Sequence, residues 1–369
     1  MNKRIPDFGR FITGVLLCLF AMTHTMAQDR HIAAGYGNSL YVDPAGNVWT
    51  WGDAKLSAVT DQGIPTLVMQ NGRSVSASPE EYKSYIIKQD GSLWGWGASY
   101  YGQMGIVPEA GNRFVGTPRK VMDQVSVVSG RMTIFALKPD GSLWVWGSAE
   151  IQRGDTDDRN WTEPHKVMED VAEVSSTFAH TVIRKKDGSL WAWGGNQCGA
   201  LGTGDTESRV RPVRVNVAPL GERQVVQIAT RWGETYLLAD DGTVWYSGEY
   251  NINQEDCLDV PRLVPTKLDR IEGVGAIALG KYHELYLKKD GTVWASGYGA
   301  AASAPWMTVP AGVGKVMDDV VEIAGGGWHS MALKKDGSVW VWGMNDLGQL
   351  GNGTNVGSLD PIQVHFARP

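Results

Sequence analysis

Three histidines, a run of carboxylates, two late cysteines and several glycine-rich loops are the residues of this chain that could do chemistry. Asp155-Thr-Asp157-Asp158-Arg-Asn160 spaces oxygens as a calcium loop does, but lacks the glycine and distal glutamate that such a loop needs. Gly102-Gln-Met-Gly105, Gly199-Ala-Leu-Gly202 and Gly348-Gln-Leu-Gly351 have the look of phosphate cradles. None is followed by Lys-Ser/Thr or a helix start, and they recur at a fixed period. His180, His283 and His329 each stand eight residues before the glycine of an Asp-Gly pair. A histidine repeated in one slot suits a packed, hydrogen-bonded position better than a metal site. There is no nucleophile elbow and no His-Glu-x-x-His. The expectation is therefore a binding protein and not an enzyme, with no catalytic residues, no metal and no cofactor.

What must position these residues is a repeat. Ala45-Gly46-Asn47-Val48-Trp49-Thr50-Trp51-Gly52 returns as Asp90–Gly97, Asp140–Gly147, Asp187–Gly194, Asp241–Gly248, Asp290–Gly297 and Asp336–Gly343, seven copies in all. Within one copy, Ile323-Ala324-Gly325 and Ser330–Leu333 are short apolar runs. Asp336-Gly337 is a hairpin turn, because a type I′ turn needs positive φ at both centres. Val339–Trp342 and Pro361–Val364 supply a third and a fourth strand. Seven units of four short strands predict an all-β, seven-bladed propeller. The surplus of 46 Gly and 16 Trp over 7 Phe follows from the turns and the Trp-x-Trp strand. Those pairs share a strand face and are expected to wedge between blades.

The set Ile-Ala-x-Gly-x-x-His-Ser, Asp-Gly-x-Val-Trp-x-Trp-Gly and Asn-x-x-Gly-Gln-Leu-Gly, nearly complete at residues 323–353, resembles the regulator-of-chromosome-condensation repeat. The resemblance runs over residues 31–364. It implies a seven-bladed propeller used for protein recognition. The nucleotide-exchange activity that names the family is not carried over to an acidic chain with an export signal.

The first repeat opens on an Ile-Ala-x-Gly strand with no Pro-type strand before it, and the last Pro-type strand has no repeat after it. Pro361–Val364 is therefore expected to complete the first blade and close the ring.

Strand order sorts the loops. With antiparallel strands, the turns after Ile-Ala-x-Gly and the loops after Trp-x-Trp lie on one face, and the Asp-Gly turns on the other. The first set of turns carries Tyr36, Tyr82, Met132, Phe178, Trp232, Tyr282 and Trp328. The loops add Trp161 and Trp306, so the four Trp outside the Trp-x-Trp slots all fall on this face. Variable loops on a rigid frame are where binding resides, and aromatic side chains make good anchors. Tyr36, Tyr82, Phe178, Trp232, Tyr282, Trp328, Trp161 and Trp306 are thus the candidate binding residues, for another protein or, alternatively, a glycan. The same rings could instead cap the central channel. Cys198 and Cys257 lie in loops of this face, where a disulfide is permitted if the backbones approach within about 7 Å.

Lys3, Arg4 and Arg10 precede the apolar run 11–22, and Thr25-Met26-Ala27 suits cleavage. Residues 1–27 read as a signal peptide and 28–369 as one exported domain, periplasmic or extracellular. The leader carries a net +2, so its removal takes the formal charge from −6 to −8. That acidity argues against nucleic acid, and no later apolar run is long enough to span a membrane.

Overall fold

Period-2 apolar patterning and the Asp-Gly turns fold each repeat into a four-stranded antiparallel sheet, and seven such sheets form the ring of a β-propeller. The computed structural model describes residues 29–53, 63–105, 113–148, 154, 159–251, 256–257, 262–297 and 313–367. The blades occupy residues 32–69, 72–122, 127–168, 171–214, 225–267, 274–317 and 320–363. In blade 7 the order is Val320–Gly325, His329–Lys334, Val339–Gly343 and Ser358–Gln363, from the innermost strand outward. Among the described residues no helix is long and apolar enough to cross a membrane.

The closure differs from the expectation. The last strand pairs with its own blade, Trp340 opposite Gln363 and Val341 opposite Ile362, and does not join blade 1. Each Pro-type strand is the outer strand of the blade before it. The loops after Trp-x-Trp are therefore hairpins within a blade, and the short Pro-strand exits, such as Gln70-Asn71, cross between blades. The division of loops between the two faces is unchanged, because strand direction is the same under either grouping.

Side-chain packing and a few hydrogen bonds between blades 7 and 1 close the ring instead. Val364 is buried against blade 1, and the Phe366 ring lies 5.0 Å from that of Tyr41 and 5.8 Å from that of Trp51. Trp51 Nε1 donates to Gln349 O in blade 7 at 2.9 Å, and Gly327 N donates to Gly35 O at 2.9 Å.

The two tryptophans of each pair have different tasks. Trp51, Trp96, Trp146, Trp193 and Trp342 are fully buried and wedge against the preceding blade. The Gly-Gln-Leu-Gly loop passes under that wedge. A Cβ on Gly351 would come within 2.8 Å of the Trp51 indole, so that glycine is steric. The first Trp instead serves the Asp-Gly turn. Asp336 Oδ1 accepts from Ser338 N and Oγ, and Ser338 Oγ accepts from Trp340 Nε1 at 2.9 Å. Lys334 then covers the Trp340 ring at 5.1 Å. The Ser338 hydrogen bonds hold the Asp336 carboxyl below its ordinary range and make it the anchor of the turn.

Blades 5 and 6 have Ser247 and Ser296 in the wedge slot. Other groups fill both junctions. Between blades 4 and 5, Cys198 and Cys257 are disulfide-bonded with Cα atoms 5.2 Å apart. Between blades 5 and 6, the buried Glu284 carboxylate accepts from Tyr236 Oη and Tyr286 Oη at 2.8 Å and from Arg231 at 3.1 Å, and it pairs with Arg270. Burial opposes ionisation of Glu284, but the two guanidiniums outweigh it and keep the carboxyl below its usual pKa.

Candidate functional site

The turns after the innermost strands converge on one end of the propeller axis. Tyr36 and Tyr82 meet edge to face at 4.9 Å, and Tyr282 and Trp328 lie 3.9 Å apart. Lys281 Nζ sits 4.9 Å from the Tyr282 ring centroid, 5.4 Å from Tyr36 and 5.7 Å from Trp232. Those rings belong to blades 6, 1 and 5, which can meet only near the axis. Tyr36, Tyr82, Met132, Trp232, Tyr282 and Trp328 are half-buried there, and Phe178 is exposed. Trp232 holds a left-handed backbone, φ +40°, a conformation that bulky residues rarely adopt.

The glycine-rich turns make this convergence possible. Gly326 O accepts from Lys281 N at 3.0 Å. A Cβ on Gly327 would strike Tyr36 O at 2.6 Å and Pro79 O at 3.1 Å. Blades 6, 7, 1 and 2 are thus laced backbone to backbone, and the aromatic rings stand on that lacing.

Charged side chains accompany the rings, and the sequence reading did not single them out. Arg131 packs its guanidinium 4.6 Å from the Phe178 centroid and faces Glu80 and Glu81 at 3.6 and 3.5 Å. Lys83, with no exposed side-chain surface, binds Glu81 at 2.8 Å. Burial pushes the Glu80 carboxyl up, with Arg131 and Lys281 opposing, and pulls the Lys83 amine down, with Glu81 opposing. The signal was available: Pro79-Glu80-Glu81-Tyr82-Lys83 places three charges around one turn aromatic, and Arg131 and Lys281 directly precede Met132 and Tyr282.

Other candidates lie elsewhere. Trp161 begins the outer strand Trp161–Met168, opposite Gly147, where its ring lies tilted against His165 at 4.3 Å and packs against two core clusters. That makes it part of the frame of blade 3. Trp306 and the carboxylates at 155–158 lie outside the described residues. The three slot histidines join neighbouring blades: His180 to Thr235 at 2.8 Å, His283 to Ser330 and His329 to Ser39, both at 2.9 Å. Among the described residues no cluster of three His, Cys, Asp or Glu could hold a metal.

Comparisons with known proteins agree with this architecture. Models described as "Regulator of chromosome condensation (RCC1) repeat" match residues 90–137, 171–200, 187–233, 320–349 and 336–368. The chain is 29% identical over 341 residues to the human E3 ubiquitin-protein ligase HERC2, covering 84% of this chain and 7% of that protein. It is 28% identical over 287 residues to the Ultraviolet-B receptor UVR8 of Arabidopsis thaliana, covering 70% of this chain and 63% of the receptor. It thus spans less than two thirds of either relative. Prp20p of Saccharomyces cerevisiae superposes with a TM-score of 0.72 at 17% identity, covering 91% of this chain and 88% of that one. Human WBSCR16 gives 0.71 at 21%, covering 83% and 85%. The chain is a seven-bladed β-propeller that carries regulator of chromosome condensation (RCC1) repeats over residues 90–137, 171–233 and 320–368.

Proposed function

We propose that this chain is an exported protein-binding module that recognises its partner through the aromatic turns at one end of the propeller axis. The observation that carries the reading is the meeting of Tyr36, Trp232 and Tyr282, from three blades, around one ammonium. Half-buried aromatic rings held by a hydrogen-bonded backbone lose little entropy on binding, as hot-spot residues do. The structural relatives support a protein as ligand: one is yeast RCC1 (Prp20) bound to Kap60, and Prp20p was studied for binding to Gsp1p and histones. Export is supported by the basic-then-apolar segment before residue 28, and by a disulfide that suits an oxidising compartment.

The test is capture of partners from periplasm or medium by immobilised wild type and by the double variant Trp232→Ala/Tyr282→Ala. The variant is expected to keep its circular dichroism and unfolding midpoint while losing the captured proteins. Unchanged capture by a folded variant would reject the reading.

A further inference from the structure

We infer that Lys281 anchors a carboxylate subsite at the centre of the aromatic turns, which takes the side chain of an Asp or Glu on a protein partner. The inference rests on the preceding reading that this end of the axis binds protein.

Among the described residues four cations stand beside these turn aromatics, and three of them are spent, Arg231 on Glu234 and Glu284. Lys83 is buried on Glu81, and Arg131 lies between Glu80 and Glu81. Lys281 differs. Its ammonium faces the rings of Tyr36, Trp232 and Tyr282, and among the described residues no carboxylate comes within 4 Å of it. Ring faces attract a cation but accept its N–H bonds poorly, so donors remain for an incoming anion. Lys281 is only half-buried. The surrounding rings exclude water, which strengthens a charged hydrogen bond.

The charge balance selects the anion. Lys83, Arg131, Arg231, Arg270 and Lys281 against Glu80, Glu81, Glu234 and Glu284 leave one net positive charge among these groups. A single carboxylate neutralises it, whereas a phosphate dianion would overshoot beside these carboxylates. A carboxylate on a protein also brings neighbouring apolar groups to the rings, which an isolated ion does not.

The probe is the capped peptide acetyl-Gly-Asp-Gly-amide, titrated while Trp emission and indole N–H resonances are followed. Its asparagine counterpart is the control. A saturable response is expected for the Asp peptide, about tenfold weaker for the Asn peptide and for the Lys281→Gln protein, and restored in Lys281→Arg; a lost charged hydrogen bond has that size. The subsite is rejected by equal binding of the two peptides, by an unaffected Lys281→Gln protein, by no saturable response to the Asp peptide, or by inorganic phosphate binding more tightly than the peptide. Capture assays separate this failure from that of the parent reading. If Lys281→Gln and Trp232→Ala/Tyr282→Ala both capture partners normally, the binding face itself is wrong; if only the double variant loses them, the subsite alone is wrong.

Discussion

Glu322 of the last blade holds His31 of the first. Its carboxylate accepts from His31 N at 2.9 Å, from Ile32 N at 3.1 Å and from His31 Nδ1 at 3.1 Å. Glu173 does the same for Ile228 N at 3.0 Å between blades 4 and 5, so the clamp belongs to the frame.

Glu322→Ala should therefore weaken ring closure, because it leaves two backbone donors without an acceptor. A loss of about 1.5–3 kcal/mol is expected from urea unfolding, in the range for hydrogen bonds to a charged group. A second signature is pH. The hydrogen bond to Glu322 raises the His31 pKa, with burial opposing. That part of the stability is complete below 6.5 and fades as pH rises through the higher folded value. The variant should lose this alkaline decline.

Acid should unfold the protein through its slot histidines. Burial lowers His180 and His283 to about 4 and His329 to about 3. The unfolded chain then binds protons that the folded chain refuses, so stability drops as pH falls from 6.5 toward 4. Each site contributes on the order of 3 kcal/mol by the end of that range. Glu80 and Glu173, pushed up by burial, act in the opposite sense near the acid end. An acid transition by circular dichroism between pH 4 and 6.5 is expected, with fewer protons taken up in His329→Gln.

The two tryptophans of a pair should differ in cost. Trp342→Ala empties a fully buried wedge and should cost about 3–5 kcal/mol. Trp340→Ala removes a half-buried ring whose indole donates to Ser338, and should cost about half as much. Denaturant midpoints of the two variants decide the matter; equal costs would refute the division of tasks.

Reduction of Cys198–Cys257 should loosen the junction where Ser247 replaces the wedge. Cys198→Ser/Cys257→Ser is expected to lower stability by about 2–4 kcal/mol. Native mass spectrometry under non-reducing conditions, followed by melting with and without reductant, measures it.

Blade number, the four strands of each repeat and the sorting of loops between faces were legible, because Asp-Gly turns and Trp-x-Trp strands recur with local period. Ring closure was not. A repeat of period four reads identically whether the Pro-type strand begins a blade or ends it. The choice rests on non-local contacts such as Phe366 with Tyr41 and Glu322 with His31. Likewise the aromatic turns were legible as residues, but Lys281 gained meaning only when the ring brought blades 1, 5 and 6 together.

Because each blade is one uninterrupted segment, it can complete its own hydrogen bonds as soon as it has been synthesised. No blade waits for a strand from the far end of the chain. What does wait is the side of blade 1 that faces blade 7, where Tyr41 and Trp51 stay uncovered until Leu350, Val364 and Phe366 arrive. The nascent chain thus carries a sticky edge on blade 1 until blade 7 has been made. A gene duplication that added or removed one whole repeat would leave that edge, and its final cover, intact.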